Sequence, residues 1–159
     1  MKKIQYDIIT WHDFNSIIST FVDSIKEDKF DAILTIAKGG LIPAVALSHK
    51  LNIDDFNITR IRRNLSNEPF SGKIPPLVDK FDFAKLQGKR ILIVDDIVGT
   101  GETLKKLIEV LKSNNIIDFK IFVLVKFVGE YSPDGTIDNY YFGKICNNWV
   151  IFPWEEKRC

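Results

Sequence analysis

Ile91-Leu92-Ile93-Val94-Asp95-Asp96-Ile97-Val98-Gly99-Thr100-Gly101-Glu102-Thr103 is the stretch from which the rest of the chain is read. Its four leading β-formers, all apolar, predict a strand buried on both faces. The strand delivers two adjacent carboxylates, Asp95 and Asp96, to its C-terminal end. A glycine turn follows, after which Leu104, Leu107, Ile108 and Leu111 recur at helical spacing. A helix starting here aims its free N–H groups and the positive end of its dipole back at the turn, which makes an anion site suited to a phosphate. Gly99 and Gly101 let backbone approach closely, and Thr100 and Thr103 offer hydroxyl donors. The carboxylates can accept from sugar hydroxyls or lie near a Mg²⁺.

Plainer readings exist. An Asp-Asp pair at a strand end also serves as a turn and helix cap. The turn is not a Walker loop, because no Gly-Lys-Ser/Thr ends it, and Leu104 stands where a dinucleotide fingerprint has its third glycine. The acidic pocket of a phosphoacceptor signalling domain also uses adjacent aspartates, but near the start of its chain.

Working outward, Asp31–Ile36 predicts a second buried strand, which ends at Ala37-Lys38-Gly39-Gly40. A helix is expected after it, with Pro43 in its first turn and Val45, Leu47 and Leu51 facing inward. Before it, Trp11, Phe14, Ile17, Ile18, Phe21, Val22 and Ile25 recur as on one face of a helix that Thr10 or Asp13 caps. Ile58–Ile61, Phe119–Val125, Tyr140–Phe142 and Trp149–Phe152 read as further strands. Between Arg62 and Asp82 the pattern breaks into Asn, Ser, Gly and Pro, which predicts a long functional loop. Strands alternating with helices imply an α/β domain with a central parallel sheet flanked by helices. Ligands in such sheets sit beyond the carboxyl ends of the strands, where Lys38-Gly39-Gly40, Asp95-Asp96 and Lys126 converge.

The bulk properties narrow the partners. With 159 residues, 45% hydrophobic, the chain holds one domain with its own core. A net charge of +1 gives no basic field for nucleic acid. Lys2 and Lys3 are followed by no apolar run, and no stretch approaches the ~20 apolar residues of a membrane span. A cytoplasmic chain without membrane or nucleic-acid partners is expected. Cys146 and Cys159 have no metal spacing and read as reduced spectators.

The 91–103 string resembles the phosphoribosyl pyrophosphate (PRPP) signature of the type I phosphoribosyltransferases: four apolar residues, two acidic ones, then a threonine- and glycine-rich turn. Two further matches spread the resemblance over nearly the whole chain. Thr35-Ile36-Ala37-Lys38-Gly39-Gly40-Leu41 looks like the family's pyrophosphate loop. Asn147-Asn148-Trp149-Val150-Ile151-Phe152-Pro153-Trp154-Glu155 resembles the end of xanthine–guanine and hypoxanthine transferases of bacteria and archaea. The resemblance implies one domain over 1–159, with a flexible lid loop at 62–82 and a base-binding hood that includes 143–159. It implies that Asp95 and Asp96 hold the ribose hydroxyls, and that Val98, Gly99, Thr100, Gly101, Glu102 and Thr103 wrap the 5′-phosphate. Ala37, Lys38 and Gly39 would bind pyrophosphate, with Lys38 counted among the catalytic groups beside the acidic pair. Trp149 would stack on the base, flanked by Val150 and Ile151, and Lys126 would contact a 6-oxo group. Mg²⁺ is the implied cofactor, near Asp95, Asp96 and Glu155. A homodimer or homotetramer is implied, with PRPP, a purine base and the nucleoside monophosphate as ligands.

The chain departs from its models in two places. Family lids often carry a Ser-Tyr pair, which is absent between Arg62 and Asp82; Arg60, Arg62 and Arg63 stand there as candidate pyrophosphate contacts or solvated charges. In the 6-oxopurine enzymes the third residue after the acidic pair is commonly an aspartate near purine N7. Here it is Gly99. The resemblance therefore implies transfer of ribose 5-phosphate to guanine, xanthine or hypoxanthine. A catalytically weak or inactive PRPP- or nucleotide-binding regulator of the same fold stays open as the alternative.

Overall fold

The structure is a computed structural model and describes residues 5–64, 73–128 and 140–155. In chain order the elements are β1 (Tyr6–Ile8), α1 (Trp11–Ser24), β2 (Ala32–Ala37), α2 (Leu41–Leu51), β3 (Phe56–Asn64) and β4 (Lys73–Val78). A 3₁₀ turn (Phe83–Leu86) leads into β5 (Ile91–Val98), α3 (Glu102–Ser113), β6 (Phe119–Phe127), β7 (Tyr140–Cys146) and β8 (Trp149–Ile151). The main sheet has the order β4-β3-β2-β5-β6-β7. Its pairings are parallel except for the antiparallel edge pair β3–β4. This is the expected α/β architecture.

Alternation along the strands splits the core into two layers. Ile33, Leu92, Val94, Phe122 and Leu124 face α1 and α2, where they meet Phe14, Ile18, Phe21, Ala44 and Leu47. Leu34, Ile36, Ile91, Ile93, Ile121 and Val123 face the other way, onto Leu104, Leu107 and Leu111 of α3 and onto Phe83 and Leu86. Burial on both faces is why these strands read as unbroken apolar runs. Thr10 starts α1 in a capping box: its hydroxyl accepts from Asp13 N–H at 3.1 Å, and Asp13 accepts from Thr10 N–H at 2.9 Å. In α2, Leu47 is buried and Leu51 half-buried, but Val45 is 47% exposed. The inward stripe runs through Ala44, Leu47 and Leu51, and a residue one step along from Ala44 is turned about 100° away.

Two expectations are corrected. The stretch 62–82 is not one loop: β3 runs on to Asn64 and β4 pairs back onto it, with Ile61 opposite Val78 and Arg62 opposite Leu77. Pro75 and Pro76 obscured the strand in the sequence, and prolines are tolerated there because β4 is an edge. The middle of the expected lid, 65–72, lies outside the described residues, as do Cys159 and the end of the expected hood. The hood itself is built differently. Residues as far as Cys146 complete β7 of the main sheet, while β8 pairs in parallel with β1 at the opposite end of the chain. Trp154 fastens this two-stranded sheet to α1: it stacks on Phe152 (centroids 4.8 Å apart, 3° between planes) and meets Phe14 edge-on at 5.9 Å.

Candidate active site

The C-terminal ends of β5 and β6 and the hood enclose a cleft of about 550 Å³, within the ~300–1,000 Å³ range of small-molecule sites. Asp95, Asp96 and the turn from Val98 to Gly101, with Thr103, form one wall. Phe127, Trp149, Val150, Phe152 and Glu155 form the other.

The acidic pair lies within the last half of β5, two residues before its end at Val98; Asp95 is buried and Asp96 half-buried. Asp95 is 8% exposed and its Oδ1 accepts from Asp96 N–H at 3.0 Å; Asp96 Oδ1 accepts from Ile97 N–H at 2.8 Å. Burial pushes the Asp95 carboxyl well above the usual range, and the adjacent Asp96 charge adds to it. Burial also raises Asp96, more weakly, with Glu155 contributing repulsion. Among the described residues neither carboxylate is paired with a lysine or arginine. Such a pair suits a cation and hydroxyl donors. Its hard oxygens fit Mg²⁺, which binds through one or two carboxylates together with water and substrate phosphates. Among the described residues no three acidic, histidine or cysteine side chains converge on one point. Glu155 lines the cleft, but its Oε2 accepts from Phe152 N–H at 2.9 Å and so closes a turn.

The loop after β2 lies against this pair. The Ala37–Lys38 peptide is cis, Lys38 is exposed, and Gly39 sits under the Asp96 carboxylate, where an added Cβ would strike Oδ2 and Cγ. On the other flank Gly101 caps α3 with φ 76°, a left-handed conformation open to glycine, and brings no side chain over the helix end. Thr100 and Thr103 line the cleft. Glu102 is exposed and outside the lining, so only its backbone belongs to the expected phosphate loop.

Trp149 projects into the cleft with 71% of its surface exposed, Val150 is buried beneath it, and Ile151 is half-buried outside the lining. Lys126 is not brought into the lining. Its ammonium lies over the Phe142 ring, 4.6 Å from the centroid. The period of two along β6 turns Lys126 away and presents Phe127 instead. Phe127 and Phe152 were missed; extending β6 past Val125 with its alternation would have found the first. Of the arginines, Arg62 is held by Asp79 at 2.7 Å and Arg60 is exposed beside Ala37 in the sheet register. The side chain of Arg63 lies outside the described set.

Among the described residues no helix is long and apolar enough to cross a membrane. A family model of the phosphoribosyl transferase domain matches residues 8–158. The chain is 29% identical to a xanthine-guanine phosphoribosyltransferase of Idiomarina loihiensis over 134 residues, 82% of this chain and 74% of the relative. It is 26% identical to an adenine phosphoribosyltransferase of Desulfosudis oleivorans, covering 74% of this chain and 82% of that protein. The crystal structure of a purine phosphoribosyltransferase from Pyrococcus horikoshii superposes with a TM-score of 0.77 at 30% identity, covering 98% of this chain and 97% of the other. An acidic pair late in β5, a glycine turn at a helix start and a domain match over nearly the full length agree: this chain belongs to the phosphoribosyl transferase family and is a phosphoribosyltransferase enzyme.

Proposed function

We propose that the protein transfers ribose 5-phosphate from PRPP to a 6-oxopurine, guanine, xanthine or hypoxanthine, and releases pyrophosphate. The observation that carries this reading is the pairing, in one cleft, of buried Asp95 and half-buried Asp96, neither held by a lysine or arginine among the described residues, with the exposed indole of Trp149. In this reading the two carboxylates accept from the ribose 2′- and 3′-hydroxyls and hold Mg²⁺, which would neutralise charge on the pyrophosphate. The 98–103 turn and the start of α3 bind the 5′-phosphate. Ala37, Lys38 and Gly39 receive the leaving pyrophosphate, and positive charge on Lys38 favours its departure. The base lies against Trp149 with its N9 aimed at C1 of the ribose, a contribution of orientation rather than of covalent chemistry. Lys126 would read the 6-oxo group only after leaving the Phe142 ring, so the purine preference rests chiefly on the hood. The xanthine-guanine relatives support a 6-oxopurine. The functional unit in this reading is a homodimer or homotetramer.

The test is turnover with Mg²⁺-PRPP against guanine, xanthine, hypoxanthine, adenine, uracil and orotate, with detection of the nucleoside monophosphates. Product from a 6-oxopurine supports the reading; product from adenine alone moves the assignment to the adenine class. Trp149→Ala should raise KM for the base by about 10- to 100-fold, since stacking on an aromatic contributes ~1–3 kcal/mol per base. An unchanged KM would remove Trp149 from the base site.

Gly99 favours a second reading, a regulator that binds PRPP or nucleotide with little chemistry. It stands where relatives commonly keep an aspartate, and space around it is open: a Cβ there meets nothing within 4 Å. The backbone at Gly99 therefore has room for a Cβ. If a proton acceptor near N7 is what the chain lacks, Gly99→Asp should raise kcat with 6-oxopurines by about 10²-fold, the lower range for general acid–base help. No gain, in a variant that still binds PRPP, would mean that the proton leaves by another route.

A further inference from the structure

Trp149 is exposed and makes no ring contact with another aromatic among the described residues, whereas Trp154 is packed against Trp11, Phe14 and Phe152. Packing therefore does not hold the Trp149 indole in place; its backbone must. That backbone belongs to a two-stranded sheet, an element of marginal stability by itself. The register sets Tyr6 opposite Trp149, Asp7 opposite Val150 and Ile8 opposite Ile151. Val150 is buried, so Asp7 shares the inward face, and Tyr6 shares the outward face with Trp149.

From this inward position Asp7 grips the turn that feeds β8. One oxygen, Oδ2, accepts from two successive backbone N–H groups, Asn147 at 3.0 Å and Asn148 at 2.9 Å. The other, Oδ1, accepts from the Asn148 side-chain amide at 3.2 Å. The Asn148 hydrogen bonds hold the Asp7 carboxyl below the usual carboxylate range, so it is ionised at neutral pH and these bonds are charge-assisted. Trp149 is the next residue along the chain. Two consecutive amides bound to one carboxylate fix the direction in which the chain enters β8, and with it the position of the Trp149 Cα.

We infer that Asp7, on the N-terminal strand, is a positioning residue of the base site: by holding the Asn147–Asn148 turn it sets where Trp149 presents its ring to the purine. The inference rests on the proposed base-transfer reading, and the experiment separates the two. KM for the base, KM for PRPP, kcat and Tm are measured for the wild type, Asp7→Ala and Asp7→Asn. Asp7→Ala should raise KM for the base by about tenfold or more, because small misplacements of positioning groups are expensive, with KM for PRPP unchanged. Asp7→Asn keeps one carbonyl acceptor and should fall between the two. A base KM within twofold of wild type in Asp7→Ala, or a parallel rise of both KM values with a lowered Tm, would overturn the inference.

If the wild type turns over no base, that failure belongs to the base-transfer reading. The positioning role is then decided by calorimetry with guanosine monophosphate and by amide exchange at 147–149. Weaker nucleotide binding and faster exchange in Asp7→Ala support it. Exchange equal to wild type in Asp7→Ala overturns the anchor, whatever the ligand.

Discussion

Asp95→Asn combined with Asp96→Asn is expected to remove PRPP-dependent turnover while making the unliganded protein more stable. The two effects have one cause. The carboxylates are neighbours in the last half of β5, with no cationic partner among the described residues. As acceptors for ribose hydroxyls, each charged hydrogen bond contributes about 1.5–3 kcal/mol. Losing two is worth ~10²–10⁴ in kcat/KM, before any loss of Mg²⁺.

Without ligands the same charges are a liability. An unfolded aspartate titrates near 3.9, and the folded pair is raised above that. Below pH ~4 both states are protonated and folding is unaffected. As pH rises, the unfolded chain releases these protons first, so stability falls until the raised folded-state values are passed. Asp28 acts in the opposite sense. Lys120, bound at 2.6 Å, and Arg90 hold its carboxyl low, so its contribution is present above pH ~4 and lost in acid. The informative quantity is therefore the difference between variant and wild type. Melting curves from pH 4 to 8, without Mg²⁺ and PRPP, should diverge in favour of the Asn variant by several degrees. About 1 kcal/mol moves Tm by ~2–4 °C in a domain of this size. Parallel curves, or retained turnover, would show that the pair is neither strained by burial nor part of the ribose site.

Gly39→Ala should be nearly as damaging, through a single methyl group. Its Cβ would occupy the space of the Asp96 carboxylate. Either Asp96 swings out of the cleft or the loop after β2 lifts away from β5. Both outcomes separate the 37–39 loop from the acidic pair, and overpacking of this kind costs about 1–3 kcal/mol in stability. Turnover should fall by about 10²-fold, the scale for an ångström-sized displacement of a positioned group. Gly88→Ala makes a useful control: Gly88 has φ 72° but nothing within 4 Å of an added Cβ, so it tests backbone strain remote from the cleft. If Gly39→Ala behaves like Gly88→Ala, the contact with Asp96 has no part in catalysis.

The strands and helices that carry the core were legible because each imposes a local period. Ile91–Val94 is apolar at every position because it is covered twice, and α3 repeats leucines at 104, 107 and 111 because one face is covered. The elements that escaped have weak local patterns. β1 has two exposed residues around a half-buried aspartate, and β4 contains Pro75-Pro76, which fall on an edge strand where the pairing with β3 shifts register between Arg62 and Asn64.

The site divides in the same way. Asp95, Asp96, the glycine turn and the helix start lie within one continuous stretch, so the family and the sheet class were readable from local pattern alone. What faces that stretch was settled by packing between distant elements; tertiary packing was needed for each contact. It set Gly39 beneath Asp96, turned Lys126 onto Phe142 and put Phe127 in its place, and engaged Glu155 with Phe152 N–H. It also joined Asp7 to Asn147 across 140 residues of chain. Local pattern records which way a side chain turns relative to its neighbours. Which distant backbone it then meets depends on how separately formed elements pack, and no periodicity encodes that distance.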